Sequence, residues 1–199
     1  MKPSPGGRIV KLANHKVVRS RDVKGIAAPR VKISQLVGEG KLHRVARGLY
    51  VSKDYPITEN HSLVLAARLH PKGVVCLLSA AQFHGITLEM PPVVWMAFPR
   101  GKSVPGAGDI PIKPIKISEP AFAYGIEKHR LEGIEVRIYS VAKTVADGFK
   151  FRSQIGVSVA VEILKEAWKQ RKVTADELWD AAKSCRMLNV MRPYFDTLQ

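Results

Sequence analysis

The hydrophobic positions change their period several times along the chain. Ile9 and Leu12 fall on one side of a short helix expected over residues 8–15, and Val17–Val18 reads as a brief strand. Ser20 is placed to cap a second short helix, with Asp22 at the end where an acid is favoured and Gly25 closing it. Pro29 opens the next helix where no hydrogen bond is lost, and Gly38-Glu39-Gly40 stops it after Val37. In that helix Ile33, Leu36 and Val37 form the buried stripe. Val31, Ser34 and Gln35 lie opposite, with Arg30 and Lys32 on the flanks.

A hairpin follows in "GKLHRVARGLYVSKD", residues 40–54, where Leu42, Val45, Leu49 and Val51 are expected to face inward. Arg44 and Arg47 sit at or beside its bend, and Gly48 relaxes the turn. A short helix, a tight turn, a longer helix and a hairpin spell a winged helix-turn-helix over residues 1–55. Its second helix is suited to the major groove and the hairpin to the role of wing.

Beyond a linker around Pro56 the character changes. A helix is expected from Thr58-Glu59 through Leu69, broken by Pro71 and Gly73. "VVCLLSAAQFHG" starts as a strand or an apolar helix entry, with Ser79 capping a short helix that ends at Gly85. "VVWMAFP" and "IKPIKIS" read as strands joined by the Gly/Pro-rich loop "RGKSVPGAGDIP", and "IEKHRLEGIEVRIYS" as a hairpin turning at Glu132-Gly133. Helices then dominate: "SVAKTVADGFKFR", interrupted by Gly156; "VSVAVEILKEAWKQRK"; and "TADELWDAAKSC", where Thr174 and Glu177 have capping-box spacing. Pro193 is expected to break the tail into a last short helix. There are no internal repeats. The fold class is α+β: the winged helix, then a larger mixed α/β C-terminal domain over residues 56–199.

Charge sharpens this picture. The 199-residue chain carries 32 basic and 17 acidic side chains, a formal net charge of +15, and residues 1–55 hold 13 of the bases against 3 acids. That concentration points to an anionic partner for the N-terminal segment, most simply double-stranded DNA. Cys76 and Cys185 are far apart and lack a Cys-x-x-Cys partner, so neither a disulfide framework nor a zinc site is expected, and a reducing cytoplasm fits. No apolar run approaches the roughly 18–20 residues of a membrane span. "MKPSPGG" lacks the apolar stretch of a signal peptide and reads as a loose leader.

For DNA, the expected contacts are Arg30, Lys32, Ser34 and Gln35 from the helix and Arg44 and Arg47 from the wing, with Arg19 and Arg21 on phosphate. Arg30 suits guanine and Gln35 adenine, each good bidentate pair contributing about 1–3 kcal/mol of discrimination.

Four segments, "RVARGLYVSKD", "TENHSLVLAARLHPKGVVCLLSAAQFHGIT", "VWMAFPRGK" and "VRIYSVAKTVADGFKFRSQIGVSVAVEILKEA", in this order, make the chain resemble the AbiEi family of antitoxin-type transcriptional regulators. The resemblance implies an N-terminal winged helix that binds operator DNA, expected to be an inverted repeat, and represses its own operon. It further implies a C-terminal domain that counters a nucleotidyltransferase toxin of the AbiEii type in phage defence. Some relatives lack a toxin neighbour, which leaves a solitary regulator as an alternative. Ala28 departs from the pattern, standing where relatives often carry a polar helix cap.

The remaining chemistry is sparse, and no cofactor is implied. His61 and His70 are nine residues apart on one helix, not on adjacent turns, and His84 and His129 have no nearby ligands in sequence; capping and packing explain them better than a metal. Asp109 with Glu135-Val136-Arg137 approximates the Asp…Glu-x-Lys spacing of Mg²⁺-dependent nucleases. Arginine replaces lysine there, however, and cannot take up a proton at neutral pH. Ser79 and Thr144 have no base positioned for nucleophilic work, so the chain is not expected to be an enzyme. Ala142, Val145, Ala146 and Phe149 form the inward face of their helix, which leaves Lys143, Asp147 and Lys150, with Arg152 following, on other faces. These four make either a surface ion pair of a few tenths of a kcal/mol or a polar surface for toxin, RNA or DNA.

Overall fold

The computed structural model describes residues 4–103 and 109–195, and they divide into two compact units that do not follow the chain. The first comprises residues 1–71 with 106–111 and 130–136; the second comprises 72–105, 112–129 and 137–199. Residues 1–3 of the expected leader and 104–108 of the expected Gly/Pro-rich loop lie outside the described residues.

In the first unit, helix α1 (Pro5–Ala13) begins three residues earlier than the apolar spacing indicates. Pro5 occupies the first turn and the Ser4 hydroxyl accepts from the Gly7 N–H at 3.1 Å, so the two glycines are drawn into the helix. The segment over Ser20–Asp22 is a single 3-10 turn, and its cap is the reverse of the expected one: the Asp22 carboxylate accepts from the Arg19 N–H at 2.8 Å. Helix α2 (Pro29–Gly38) opens at Pro29 as expected, behind Ala28 in a left-handed conformation (φ 45°) that offers no side-chain cap. Ile9, Ala13, Val18, Ile33, Leu36 and Leu42 form one buried cluster that holds α1, α2 and the hairpin together.

The hairpin pairs β1 (Leu42–Ala46) with β2 (Leu49–Ser52) antiparallel, turning at Arg47-Gly48 with Gly48 at φ +73°. Its register slips between Arg44, which faces Tyr50, and Ala46, which faces Leu49. Leu42, Ala46, Leu49 and Val51 are buried, while Val45, expected inward, is only half-buried. Arg44 is exposed although it keeps the regular register that begins at Leu42; the β-bulge lies beyond it, at Val45, and sets buried Ala46 opposite buried Leu49. Val18 extends the sheet, exchanging hydrogen bonds with Tyr50 at 2.8 and 3.0 Å. Helix α3 (His61–Leu69) completes this part of the chain.

The second unit is built on a five-stranded sheet in the order β5-β4-β3-β7-β6. Its strands are β3 (Val74–Val75), β4 (Val94–Pro99), β5 (Ile112–Ile117), β6 (Ile126–Leu131) and β7 (Ile134–Tyr139). β4 and β5 run parallel, in register from Val94 opposite Ile112 to Pro99 opposite Ile117, and β3 is antiparallel to β4 and parallel to β7. Residues 130–136, the turn end of the β6–β7 hairpin, cluster with the first unit.

Helix α4 (Leu77–Phe83) follows β3 directly. Ser79 lies inside α4 and does not cap it: its hydroxyl accepts from the Trp95 N–H at 3.0 Å, tying helix to sheet. Helix α5 (Glu119–Ala123) is an element the apolar pattern leaves unmarked. Helices α6 (Val141–Lys150), α7 (Arg152–Ile155), α8 (Val157–Lys169) and α9 (Ala175–Ser184) follow. Gly156 separates α7 from α8, and the Thr174–Glu177 capping box forms as its spacing indicates. Pro193, expected as a break, lies within helix α10 (Leu188–Phe195), where, lacking an N–H, it cannot donate to the Asn189 carbonyl four residues back. Among the described residues no helix is long and apolar enough to cross a membrane.

Candidate nucleic-acid interface

Burial of Ile33 and Leu36 fixes which side of α2 looks outward. Arg30, Val31, Ser34 and Gln35 are exposed together, at the i, i+1, i+4, i+5 spacing of one helix face. Lys32, on the flank, is half-buried and donates from Nζ to Gln35 Oε1 at 3.1 Å. This contact holds the Gln35 amide in place, leaving its NH₂ group to donate outward. The face offers amide, hydroxyl and guanidinium donors around one exposed valine.

At the hairpin, Arg44 and Arg47 are both exposed. Arg44 Nε donates to its own strand, to the Ala46 carbonyl at 3.4 Å, across the bulge. Asp109, a residue the sequence pattern links to nuclease spacing, lies at this same turn. Its carboxylate accepts from the Arg47 N–H and stands 4.0 Å from Arg44 Nη2. Asp109 is thus a partner of the hairpin, with nothing in sequence to reveal it across 62 positions. Among the described residues no group of three or more His, Cys, Asp or Glu side chains is placed to hold a metal ion.

Arg21 is exposed, but Arg19 is placed differently from its expected role on phosphate. Its guanidinium turns inward and donates to the Arg68 carbonyl, while Arg68 pairs with Asp22. Burial, with Arg21 and Arg68 nearby, lowers the Arg19 pKa against the opposing pull of Asp22. Arg19 therefore ties the 3-10 turn to α3. The Asp22 carboxylate takes the Arg19 backbone N–H and the Arg68 guanidinium, a short-range network that sequence distance conceals.

The proposed polar surface on α6 needs correction. Lys143 and Asp147 are fully buried, with Nζ 2.5 Å from Oδ1. Ala142, Val145, Ala146 and Phe149 pack into the same core as residues of α8 and α9, so the helix is enclosed around its polar side as well. Lys143 Nζ lies 4.5 Å from the centroid of the Tyr139 ring, and the Cys185 thiol donates to Asp147 Oδ1 at 3.6 Å. Burial raises the Asp147 pKa, and Lys143 opposes it; burial, with Asp147 adding to it, pushes the Cys185 thiol up to about 11. Lys150 and Arg152 are half-buried and donate to the Cys185 and Phe149 carbonyls at 3.4 and 2.8 Å.

The histidines serve separate contacts. His61 meets Glu132, and His84 lies 2.7 Å from the Tyr139 carbonyl. His84 and His129, unconnected in sequence, bring their ring centroids within 6.1 Å, with Phe83 edge-on to both.

A helix pair and a bulged hairpin that display cations and hydrogen-bond donors form a surface able to meet phosphates and base edges. Residues 8–53, the stretch that builds it, match a family model described as "Transcriptional regulator, AbiEi antitoxin". The resemblance read from the sequence is thereby borne out over that segment, and the matched family is one of regulators and antitoxins. No curated protein matches the chain. Among solved structures, it is similar to the RV2827C protein from Mycobacterium tuberculosis at a TM-score of 0.60 and 14% identity. That match covers 95% of this chain and 78% of the other, and supports a shared α+β fold.

Proposed function

We propose that the chain is a DNA-binding transcriptional repressor, with residues 1–55 forming a winged helix-turn-helix on double-stranded operator DNA. The joint exposure of Arg30, Ser34 and Gln35 on one face of α2 and of Arg44 and Arg47 at the hairpin carries this reading. α2 enters the major groove with Arg30, Ser34 and Gln35 toward base edges, and Lys32 steadies Gln35. Arg44 and Arg47 meet phosphate or the minor groove, and Arg21 meets phosphate. The match over residues 8–53 supports a regulatory antitoxin role. On this reading the protein represses its own two-gene operon from an inverted repeat in the cytoplasm, and residues 56–199 counter a nucleotidyltransferase toxin.

A gel shift of the full chain with the DNA upstream of its gene, against excess random competitor, tests the DNA-binding half. A discrete complex that survives competitor is expected; one that competitor abolishes rejects operator recognition. Co-expression with the product of the neighbouring gene tests the other half. Growth restored only when this chain is present is the antitoxin outcome, and operator binding without rescue leaves a solitary regulator. The same samples incubated with plasmid and Mg²⁺ address the nuclease reading, which the engagement of Asp109 at the hairpin disfavours.

A further inference from the structure

We infer that the second unit holds an anion pocket that takes the terminal phosphate of a nucleotide-sized ligand through Arg100, Lys150 and Arg186. This reading does not rest on the DNA-binding one: it uses other residues in another unit, and its test is separate.

The pocket is a cavity of about 400 Å³ lined by Arg100, Ser118, Lys150, Ser184, Cys185 and Arg186, with apolar neighbours and no carboxylate. That volume lies within the range of small-molecule sites, about 300–1,000 Å³. Its position follows from the topology. β4 and β5 are parallel and end together at Pro99 and Ile117, so Arg100 and Ser118 are the first residues beyond two carboxyl strand ends. The Arg100 N–H donates to the Ile117 carbonyl at 2.7 Å, which fixes the two residues side by side. In open α/β sheets, the crevice outside the carboxyl ends of parallel strands is where ligands bind.

The side chains suit a phosphate. Among the described residues the guanidinium groups of Arg100 and Arg186 have no carboxylate partner, and the Ser118 hydroxyl makes no cap bond to α5 although Ser118 is its capping residue. Lys150 is anchored on the Cys185 carbonyl at 3.4 Å, which sets its ammonium at the cavity wall. Lys150 and Arg186 stand at the C-terminal ends of α6 and α9, where a cation is favoured in any protein. Arg100 has no such explanation. Arg100, Lys150 and Arg186 line one cavity whose lining holds no carboxylate, so a multiply charged anion there would meet two guanidinium forks and an ammonium.

The test uses the full chain at physiological salt with inorganic pyrophosphate as the probe, titrated calorimetrically. Saturable binding is expected. The Arg100→Gln/Arg186→Gln variant should weaken it about tenfold or more, since each lost charge-assisted contact contributes on that scale. The charge-matched Lys11→Gln/Lys41→Gln variant, altered in the other unit, should bind as the wild type does. Absence of saturable binding, or equal losses in both variants, overturns the inference. Should the arginine variant not fold, Ser118→Ala replaces it, with a weaker site expected and an unchanged one overturning the proposal. Competition separates the sources of the phosphate: displacement by ATP indicates a free nucleotide, and displacement by a 5′-phosphorylated oligonucleotide a nucleic-acid end. An oligonucleotide that competes equally well after dephosphorylation overturns recognition of a terminal phosphate.

Discussion

The Glu132 carboxylate lies 2.7 Å from Nδ1 of His61, 71 residues away in the chain, and its side chain is only 1% exposed. The same carboxylate accepts from the Tyr55 hydroxyl at 2.9 Å and from the N–H and hydroxyl of Thr58 at 2.9 and 2.8 Å. One acid thus organises the whole segment from the end of the hairpin to the start of α3. Burial alone would raise its pKa, but the hydrogen bonds from His61, Thr58 and Tyr55 prevail and lower it.

A lowered carboxylate pKa fixes the sign of the pH dependence. The stabilisation is complete above the unfolded value of about 4.3 and is lost as pH falls through the lower folded value. Glu132→Gln should reduce stability at neutral pH by about 1.5–3 kcal/mol, the scale of hydrogen bonds to a charged group. It should also flatten the acid limb of the unfolding curve. Denaturant titrations of both proteins across the acid range check this; parallel curves would refute the role given to Glu132.

Gly133, the next residue, has φ +72°, and a Cβ there would collide with the His15 carbonyl oxygen. Gly25 has a similar φ of +69° with nothing within 4 Å of a Cβ. Gly25→Ala should therefore cost only the left-handed strain, about 1–2 kcal/mol, whereas Gly133→Ala should cost more because backbone must move. Thermal unfolding of the two variants side by side gives the comparison; a smaller loss at Gly133 would mean that the turn moves freely.

The contrast between these positions shows what sequence carries. Local chemistry was readable: Pro29 opening α2, the Thr174–Glu177 box, the Glu132-Gly133 turn, and the Ile33/Leu36 stripe that leaves Ser34 and Gln35 outside. Long-range pairing was not. Nothing near Glu132 indicates His61, nothing near Asp109 indicates Arg47, and Arg19 turns inward because Arg68 and Asp22 are there to meet it. The bulge at Val45 escapes an alternation rule because it is a departure from alternation.

For the hairpin arginines, each phosphate contact contributes roughly one unit to the slope of log affinity against log salt. Arg44→Ala with Arg47→Ala should weaken operator binding and flatten that slope by up to about two units, with little change in folding, since both side chains are exposed. Gln35→Ala, on the helix face, should instead reduce the preference for operator over random DNA with the salt slope preserved. Gel shifts at several salt concentrations separate the two effects. An unaltered slope in the double variant would remove the hairpin from the interface.

The buried Lys143–Asp147 pair makes a prediction that a surface pair does not. A solvated i, i+4 pair contributes a few tenths of a kcal/mol, so losing either partner would be nearly silent. Here both side chains are fully buried, so Asp147→Asn or Lys143→Met strands the other charge in the core, at a cost of about 3–5 kcal/mol. Replacing both at once, Lys143→Met with Asp147→Leu, removes the two charges together and should recover much of that loss. Asp147→Asn also frees the Cys185 thiol from the neighbouring carboxylate that helps hold its pKa up, so once the core loosens Cys185 should be labelled faster by a thiol reagent. Chemical denaturation of the two single variants and the double variant measures the coupling directly. Additive losses would mean that the two charges are not joined across the core, and near-silent single variants would return the pair to the surface role that its spacing suggests.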